Sequence, residues 1–259
     1  MRLQTAAVLA VALALPLAAS ASNAPKSATF TDPTTKKTCA ATGQPGAKDP
    51  VENGLKNRAA KPGATTATTV AEFRNLPVHD KAARSTWTAA DLATFKKLED
   101  APVRIVGYLL GVKPEGAEAT NCKFTDPAGI DYHMWLVDTA DKDKGRIFSA
   151  VVEVTPRWRQ ANPAWTVAAL QALVTQGAQV RISGWRTFDY EHPEQLPANN
   201  STNPTRSTLW EIHPVTMVEV ATKSGWVELG AAAAKSPATL VRPKPGKTVA
   251  PLTETNTGE

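Results

Sequence analysis

The chain has 259 residues, 42% apolar and 20% charged, with 20 Pro, 15 Gly and 2 Cys, which suits one or two ordinary domains and excludes a collagen, a coiled coil and a disulfide-dense mini-protein. A net charge of +5 would suit an anionic partner if the basic residues lay on the folded part. They lie in the flanks: residues 25–101 carry 12 Lys/Arg against 8 Asp/Glu, residues 102–222 carry 11 against 13, and residues 223–259 carry 5 against 3. A mildly acidic centre disfavours non-specific nucleic-acid binding, which draws its strength from neutralised phosphates, and favours a cation.

Met1 and Arg2 precede an apolar run from Ala6 to Ala19. With small residues at Ala19 and Ala21, or Ser22 and Ala24, this pattern predicts a signal peptide over residues 1–24, too short to span a bilayer. No later stretch approaches the ~18 apolar residues of a membrane helix, so the expectation is an exported, soluble protein, periplasmic or extracellular. Export places Cys39 and Cys122 in an oxidising compartment, where an even pair predicts one disulfide worth on the order of 4 kcal/mol. Residues 25–87 hold few large apolar side chains and are expected to be largely irregular. His79 reads as part of a loop there. Thr88-Ala-Ala-Asp91 resembles a capping box, and Leu92, Phe95 and Leu98 recur at helical spacing, predicting a short helix over Ala89–Glu99 within a segment 88–101.

β-rich runs follow at Val103–Val112, Tyr132–Val137 and Arg146–Val154. A helix is predicted next, capped by Asn162, with Pro163 at its first position, Val167, Leu170, Leu173 and Val174 on one face and Gly177 as its stop. Two more strands, Gln179–Phe188 and Leu209–Val220, complete the order strand, strand, strand, helix, strand, strand. Over residues 102–222 that order predicts a mainly β fold, a five-stranded OB-fold-like Greek-key barrel with its helix between strands three and four. A generic antiparallel α+β sandwich is the competing architecture. Gly107, Gly111 and Gly184 suit the sharp bends of a small barrel. Residues 223–259, rich in Ala, Pro, Lys and Thr, are expected to be a disordered tail.

Asp131 and His133 are two residues apart, as are Glu211 and His213, so each pair projects from one face of an extended strand. In OB topology the third strand, ending near Glu153, runs between the second and the fifth, which places Glu153 between these pairs and the Asp189/His192 loop at the rim. Imidazole and carboxylate together suit Zn²⁺, Mn²⁺ or Fe²⁺, with His133, Glu153, His192 and His213 as candidate ligands and Asp131, Asp189 and Glu211 as candidate acid–base or orienting groups. None of these spacings is a diagnostic motif, and each pair alone could be a solvated strand face or a turn; their convergence on adjacent strands is what favours a site. Trp135, Trp185 and Tyr190, with Arg186, are candidates for stacking on and gripping a base or sugar. Trp165 and Trp210 read as core.

In the order Asp131-x-His133, Glu153-x-x-Pro156, Val180-x-x-x-Gly184, Phe188-Asp-x-x-His192 and Glu211-Ile-His-Pro-Val215, the chain resembles a family of exported bacterial proteins of uncharacterised activity. Their pattern runs D-x-H, E-x-P-like, V-T-G-x-x-F-F-D-x-x-H and E-L-H-P-V. The resemblance spans Val103 to Val220 and is tightest at Glu211–Val215. It departs at Glu153-Val-Thr-Pro156 and at Trp185-Arg186-Thr187. It implies an OB-like domain in which the Asp, His and Glu positions act as a unit, and it implies no particular reaction. Three functions follow as expectations: a divalent-metal-dependent hydrolase of phosphodiesterase or nuclease type, a non-catalytic module gripping an oligonucleotide or oligosaccharide, or a structural envelope protein. A small-molecule and an oligomeric ligand are both open.

Overall fold

The computed structural model describes residues 23–79, 83–197 and 204–230. Residues 1–22 of the expected signal peptide, and the tail from residue 231 on, lie outside them. The elements in chain order are β1 (Phe30–Thr31), β2 (Thr38–Cys39), α1 (Pro50–Lys56), β3 (Thr66–Thr68), α2 (Val70–Phe73), α3 (Ala89–Glu99), β4 (Pro102–Pro114), β5 (Tyr132–Asp138), β6 (Ala150–Val154), α4 (Pro156–Ala161), α5 (Val167–Gln176), β7 (Gln179–Phe188), β8 (Trp210–Thr222) and β9 (Gly225–Glu228).

Strands β4, β5, β6, β8 and β7 pair in that order, and β7 pairs back onto β4 to close the barrel. The β6–β8 pair is parallel, while the other four barrel pairings are antiparallel. This is the OB-fold-like connectivity expected from the strand order, with α5 between the third and fourth barrel strands. Closure removes the open edges of the five strands. β3 adds to β4 in parallel, and β9 forms a short hairpin with β8, so residues 225–228 of the expected tail belong to the sheet.

Alternation along the strands assigns the two faces. Met134, Leu136, Val152, Val154 and Ile212 belong to the buried apolar core with Ile105, Val180 and Ile182. Their neighbours His133, Trp135, Glu153, Glu211 and His213 therefore project from the other face. Trp165 and Trp210 are buried in the core. Two glycines are required by close approach: a Cβ at Gly107 would sit 1.9 Å from the Val137 carbonyl oxygen, and one at Gly184 would sit 2.3 Å from that of Pro214. Gly184 lies where the β7–β8 register shifts, as a barrel corner demands.

Helix α3 has the predicted span, and its capping box is reciprocal: the Thr88 side chain accepts from the Asp91 amide while the Asp91 side chain accepts from the Thr88 amide. Helix α5 ends at Gly177 in the left-handed conformation, as expected, but begins at Val167 on an N-cap by Thr166. Asn162 instead closes α4, which starts at Pro156 behind the N-cap Thr155. A Thr-Pro pair directly after a strand starts a helix as readily as Asn162-Pro163 does. The third strand is shorter than its β-rich run, because Arg146–Phe148 forms a 3-10 turn before β6 begins at Ala150.

The segment before the barrel holds short elements joined by irregular chain, and it is strapped across the outer face by side-chain donors. Cys39 and Cys122 form the disulfide. The buried Arg157 guanidinium of α4 donates to the carbonyls of Ala28, Cys39 and Ala40. Asn57 donates to the Ala41 and Thr120 carbonyls, and the Trp158 indole donates to the Arg58 carbonyl. Such bonds satisfy loop carbonyls that no ladder reaches.

Candidate metal centre on the outer face of the barrel

The β5–β6 register sets His133 directly opposite Glu153, and the parallel pairing of Val152 with Ile212 sets Glu211 and His213 on the other flank of Glu153. Glu153 therefore meets both histidines. Its Oε1 lies 2.9 Å from His133 Nδ1, and its Oε2 lies 3.4 Å from His213 Nδ1. His133 Nδ1 is also 2.7 Å from Glu115 Oε1. His213 Nδ1 is 3.4 Å from Glu211 Oε2, and its Nε2 is 3.6 Å from Asp131 Oδ2. The four side chains expected to converge, Asp131, His133, Glu153 and His213, do so.

Polar saturation is poor in this cluster. Asp131, His213 and Glu211 are almost fully buried, yet neither Asp131 oxygen, neither His213 ring nitrogen and not Glu211 Oε2 has a hydrogen bond of ordinary geometry. Buried polar groups normally find partners, and each one without costs on the order of 1–3 kcal/mol. Gaps of 3.4–3.6 Å are long for hydrogen bonds, and they open at two different ring nitrogens of His213, Nδ1 toward Glu153 and Nε2 toward Asp131, of which a single cation takes one. Three sets of three donors are close enough to hold an ion: Glu115, His133 and Glu153; Asp131, Glu153 and His213; and Glu52, Asp189 and Glu191, of which the last is already paired through Glu52 and Asp189 with Lys56, Arg84 and Arg206.

The electrostatics agree with the geometry. Burial raises the Asp131 carboxyl to about 6, opposed by His213 and assisted by Glu153. Burial also drives Glu118 well above the carboxylate range, with the charges of Glu153 and Asp131 adding to it. Burial would lower His133, but its bonds to Glu115 and Glu153 dominate and raise it to about 9. Glu153 stays below its ordinary value because His213 and His133 outweigh its burial.

A pocket of about 180 Å³ opens onto this cluster, and residues from Glu115, Glu118, His133 and Glu153 on one wall face Asp189, His192, Arg206 and Glu211 on the other. The second wall is an internally paired network. Arg206 binds Asp189 at 2.7 Å and also Glu211, while Lys56 from α1 binds Asp189 at 3.2 Å and Glu52 at 3.0 Å. His192 stands at the rim with its side chain 39% exposed, and its Nδ1 is 2.7 Å from Asp189 Oδ2. Burial would lower His192, but Asp189 raises it to about 9. Since Lys56 and Arg206 are already engaged, the unmatched negative charge lies on the side of Glu115, Asp131 and Glu153, with Glu118 held neutral beside them.

His192 is thus placed at the rim as expected, apart from the three metal-competent sets. Of the aromatic and cationic candidates only Trp135 lines the pocket, its ring under the Arg146 guanidinium at 3.7 Å. Trp185 instead donates its indole N–H to the Ala60 carbonyl with Arg58 over its ring, and Arg186 is buried against Trp210 with its Nε on the Leu98 carbonyl. Tyr190 is buried beneath Lys48. His79 stacks on Trp87, away from the pocket.

Glu115, Glu118, Lys56 and Arg206 are pocket residues beyond the sequence expectation. Glu115 and Glu118 lie in the loop between the first two barrel strands and Arg206 in the loop between the last two, the loops that in OB folds bear ligand contacts beside the strand 2–3 face. Reading those loops for charged residues would have found all three. Among the described residues, no helix is long and apolar enough to cross a membrane. Comparison of the chain with family models, with curated proteins and with solved structures finds no match.

Proposed function

We propose that this chain is an exported, divalent-cation-dependent hydrolase acting on a phosphoester at the outer face of its OB-like barrel. The observation that carries the reading is the buried group of Asp131, Glu153 and His213, in which both Asp131 oxygens and both His213 ring nitrogens lack the hydrogen bonds that burial ordinarily demands. A cation supplies the missing partner, and Zn²⁺, Mn²⁺ and Fe²⁺ suit the mixed imidazole and carboxylate donors. When bound, it contributes Lewis-acid polarisation of a water or of an ester oxygen. The position on the face and loops where OB folds handle ligands, and the disulfide that suits an oxidising compartment, support the same reading.

The chain's own residues supply the proton transfers. Hydrolysis forms a bond from water oxygen to phosphorus and breaks the bond to the leaving oxygen, so one proton must leave the water and one must reach the leaving group. Glu115, held below its ordinary carboxylate value because His133 and Lys113 outweigh its burial, is ionised and lines the pocket, as a base requires. His192 is protonated at neutral pH, reaches solvent at the rim and is held by Asp189, as an acid requires. A role as an oligonucleotide or glycan grip draws less support, since Trp185, Arg186 and Tyr190 are engaged elsewhere.

The test is metal analysis of the purified protein, with thermal melting before and after chelation and turnover of a phosphodiester such as bis(p-nitrophenyl) phosphate. A stoichiometric divalent ion, a melting temperature lowered by chelator and metal-dependent turnover are expected. Absence of both ion binding and a chelator effect overturns the cation site; an ion without turnover of phosphate mono- or diesters overturns the hydrolase.

A further inference from the structure

We infer that Glu153 is a bridging carboxylate and that the face holds two cations, one between Glu115, His133 and Glu153 and the other between Asp131, His213 and Glu153. The inference rests on the cation site proposed above and deepens it; Glu115 holds the outer cation through Oε1, the oxygen that meets His133, and keeps its second oxygen for the proton of the attacking water. Its basis is the division of labour between the two oxygens of one side chain. Oε1 of Glu153 faces His133 and Oε2 faces His213, so the two donor sets share Glu153 and no other residue. The shared carboxylate lies on the middle strand of three, with His133 on one neighbour and His213 on the other. A single cation on one oxygen would leave the second histidine–carboxylate set unused.

The two sets differ in readiness. Around His213, Glu153 Oε2 lies 3.4 Å from Nδ1 and Asp131 Oδ2 lies 3.6 Å from Nε2, and neither ring nitrogen has a hydrogen bond of ordinary geometry, so either is open to a cation. Around His133 the contacts are 2.7 and 2.9 Å, hydrogen bonds donated by the protonated Nδ1, so an ion entering there displaces that proton to solvent and opens both contacts. The His213 set is buried and the His133 set lines the pocket. The inner cation is therefore the tighter, more structural ion, and the outer one faces the substrate. Carboxylate-bridged pairs of ions are suited to clamping the attacking and leaving oxygens of a phosphoester, so the pairing narrows the substrate class to phosphomonoesters and phosphodiesters.

The experiment is titration of the demetallated full chain with Mn²⁺, followed by calorimetry and electron paramagnetic resonance. Two ions per chain are expected, binding sequentially, with an exchange-coupled signal at saturation. Glu115→Gln should retain one ion and lose the coupled signal, while Glu153→Gln should weaken both ions by at least about 100-fold, the upper end of what losing a merely supporting partner costs. Circular dichroism verifies that each variant folds. Saturation at one ion per chain overturns the bridge while leaving the single-cation reading intact; no Mn²⁺ or Zn²⁺ binding overturns both; and two ions retained by Glu153→Gln overturn the bridging role alone.

Discussion

At the scale of single residues, Asp131 gives a test that separates a ligand from a structural group. Its folded-state pKa of about 6 lies above the ordinary 3.8. The native state thus holds that proton more tightly than the unfolded chain, and the associated stability is present below pH ~4 and lost as pH rises through about 6. Above that, ionised Asp131 in the metal-free protein is a desolvated charge. Asp131→Asn should therefore raise the unfolding free energy at pH 7.5 in EDTA, by on the order of 1–3 kcal/mol, while abolishing binding of the inner cation; urea melts of both proteins measure the sign. A loss of stability instead would mark Asp131 as a structural partner of His213. His192 makes a second prediction. With its pKa raised to about 9, phosphodiester turnover should fall as pH rises through 9, and His192→Gln should lower the rate about 100-fold or more and remove that alkaline limb. An unchanged pH profile would release His192 from the acid role.

At the scale of elements, the β7–β8 loop is held by charge. Arg206, Asp189 and Glu211 have side chains only 1%, 1% and 2% exposed. Removing one partner of a buried ionic group strands the others, so Arg206→Met should cost about 3–5 kcal/mol in urea unfolding. A cost below 1 kcal/mol would mean that water enters the loop and screens Asp189. This loop also marks the limit of what could be read from the chain. Strands β4, β5, β7 and β8, helix α3 and the stop of α5 were legible because alternation, capping and Gly177 are local signals. The meeting of Asp131, His133, Glu153 and His213 was legible because OB topology fixes which strands are neighbours, and alternation then fixes the face. Glu115, Glu118 and Arg206 were legible only as charged residues of the two loops, since which way a loop side chain turns depends on backbone turns and distant packing, and Lys56 was not legible at all, because the docking of α1 carries no local signal. The misplacement of Trp185 and Arg186 has the same origin: both lie on a recognised strand, but Ala60 and Arg58 of the irregular segment engage Trp185, and Leu98 of α3 and Trp210 engage Arg186, contacts set by distant packing.

At the scale of the molecule, the apolar core draws no member from residues 28–58, so the strap they form is expected to open separately from the barrel. The Cys39–Cys122 bridge closes a span of 83 residues, worth about 4–5 kcal/mol in the chain-entropy model. Replacing both cysteines by alanine should lower stability by roughly that amount. Hydrogen exchange should then show residues 28–58 opening while β4, β5 and β7 keep their protection. Equal loss of protection in the strands would make segment and barrel one cooperative unit. The strap also imposes a sequence of events on the molecule's formation. Residues 28–58 leave the ribosome before any barrel strand, yet the groups that fix them, Cys122, Arg157, Trp158 and Asp189, all come later in the chain. The part made first is seated last, so a chain halted before residue 158 carries its cover without a seat for it, and oxidation of Cys39 must wait for Cys122 to arrive.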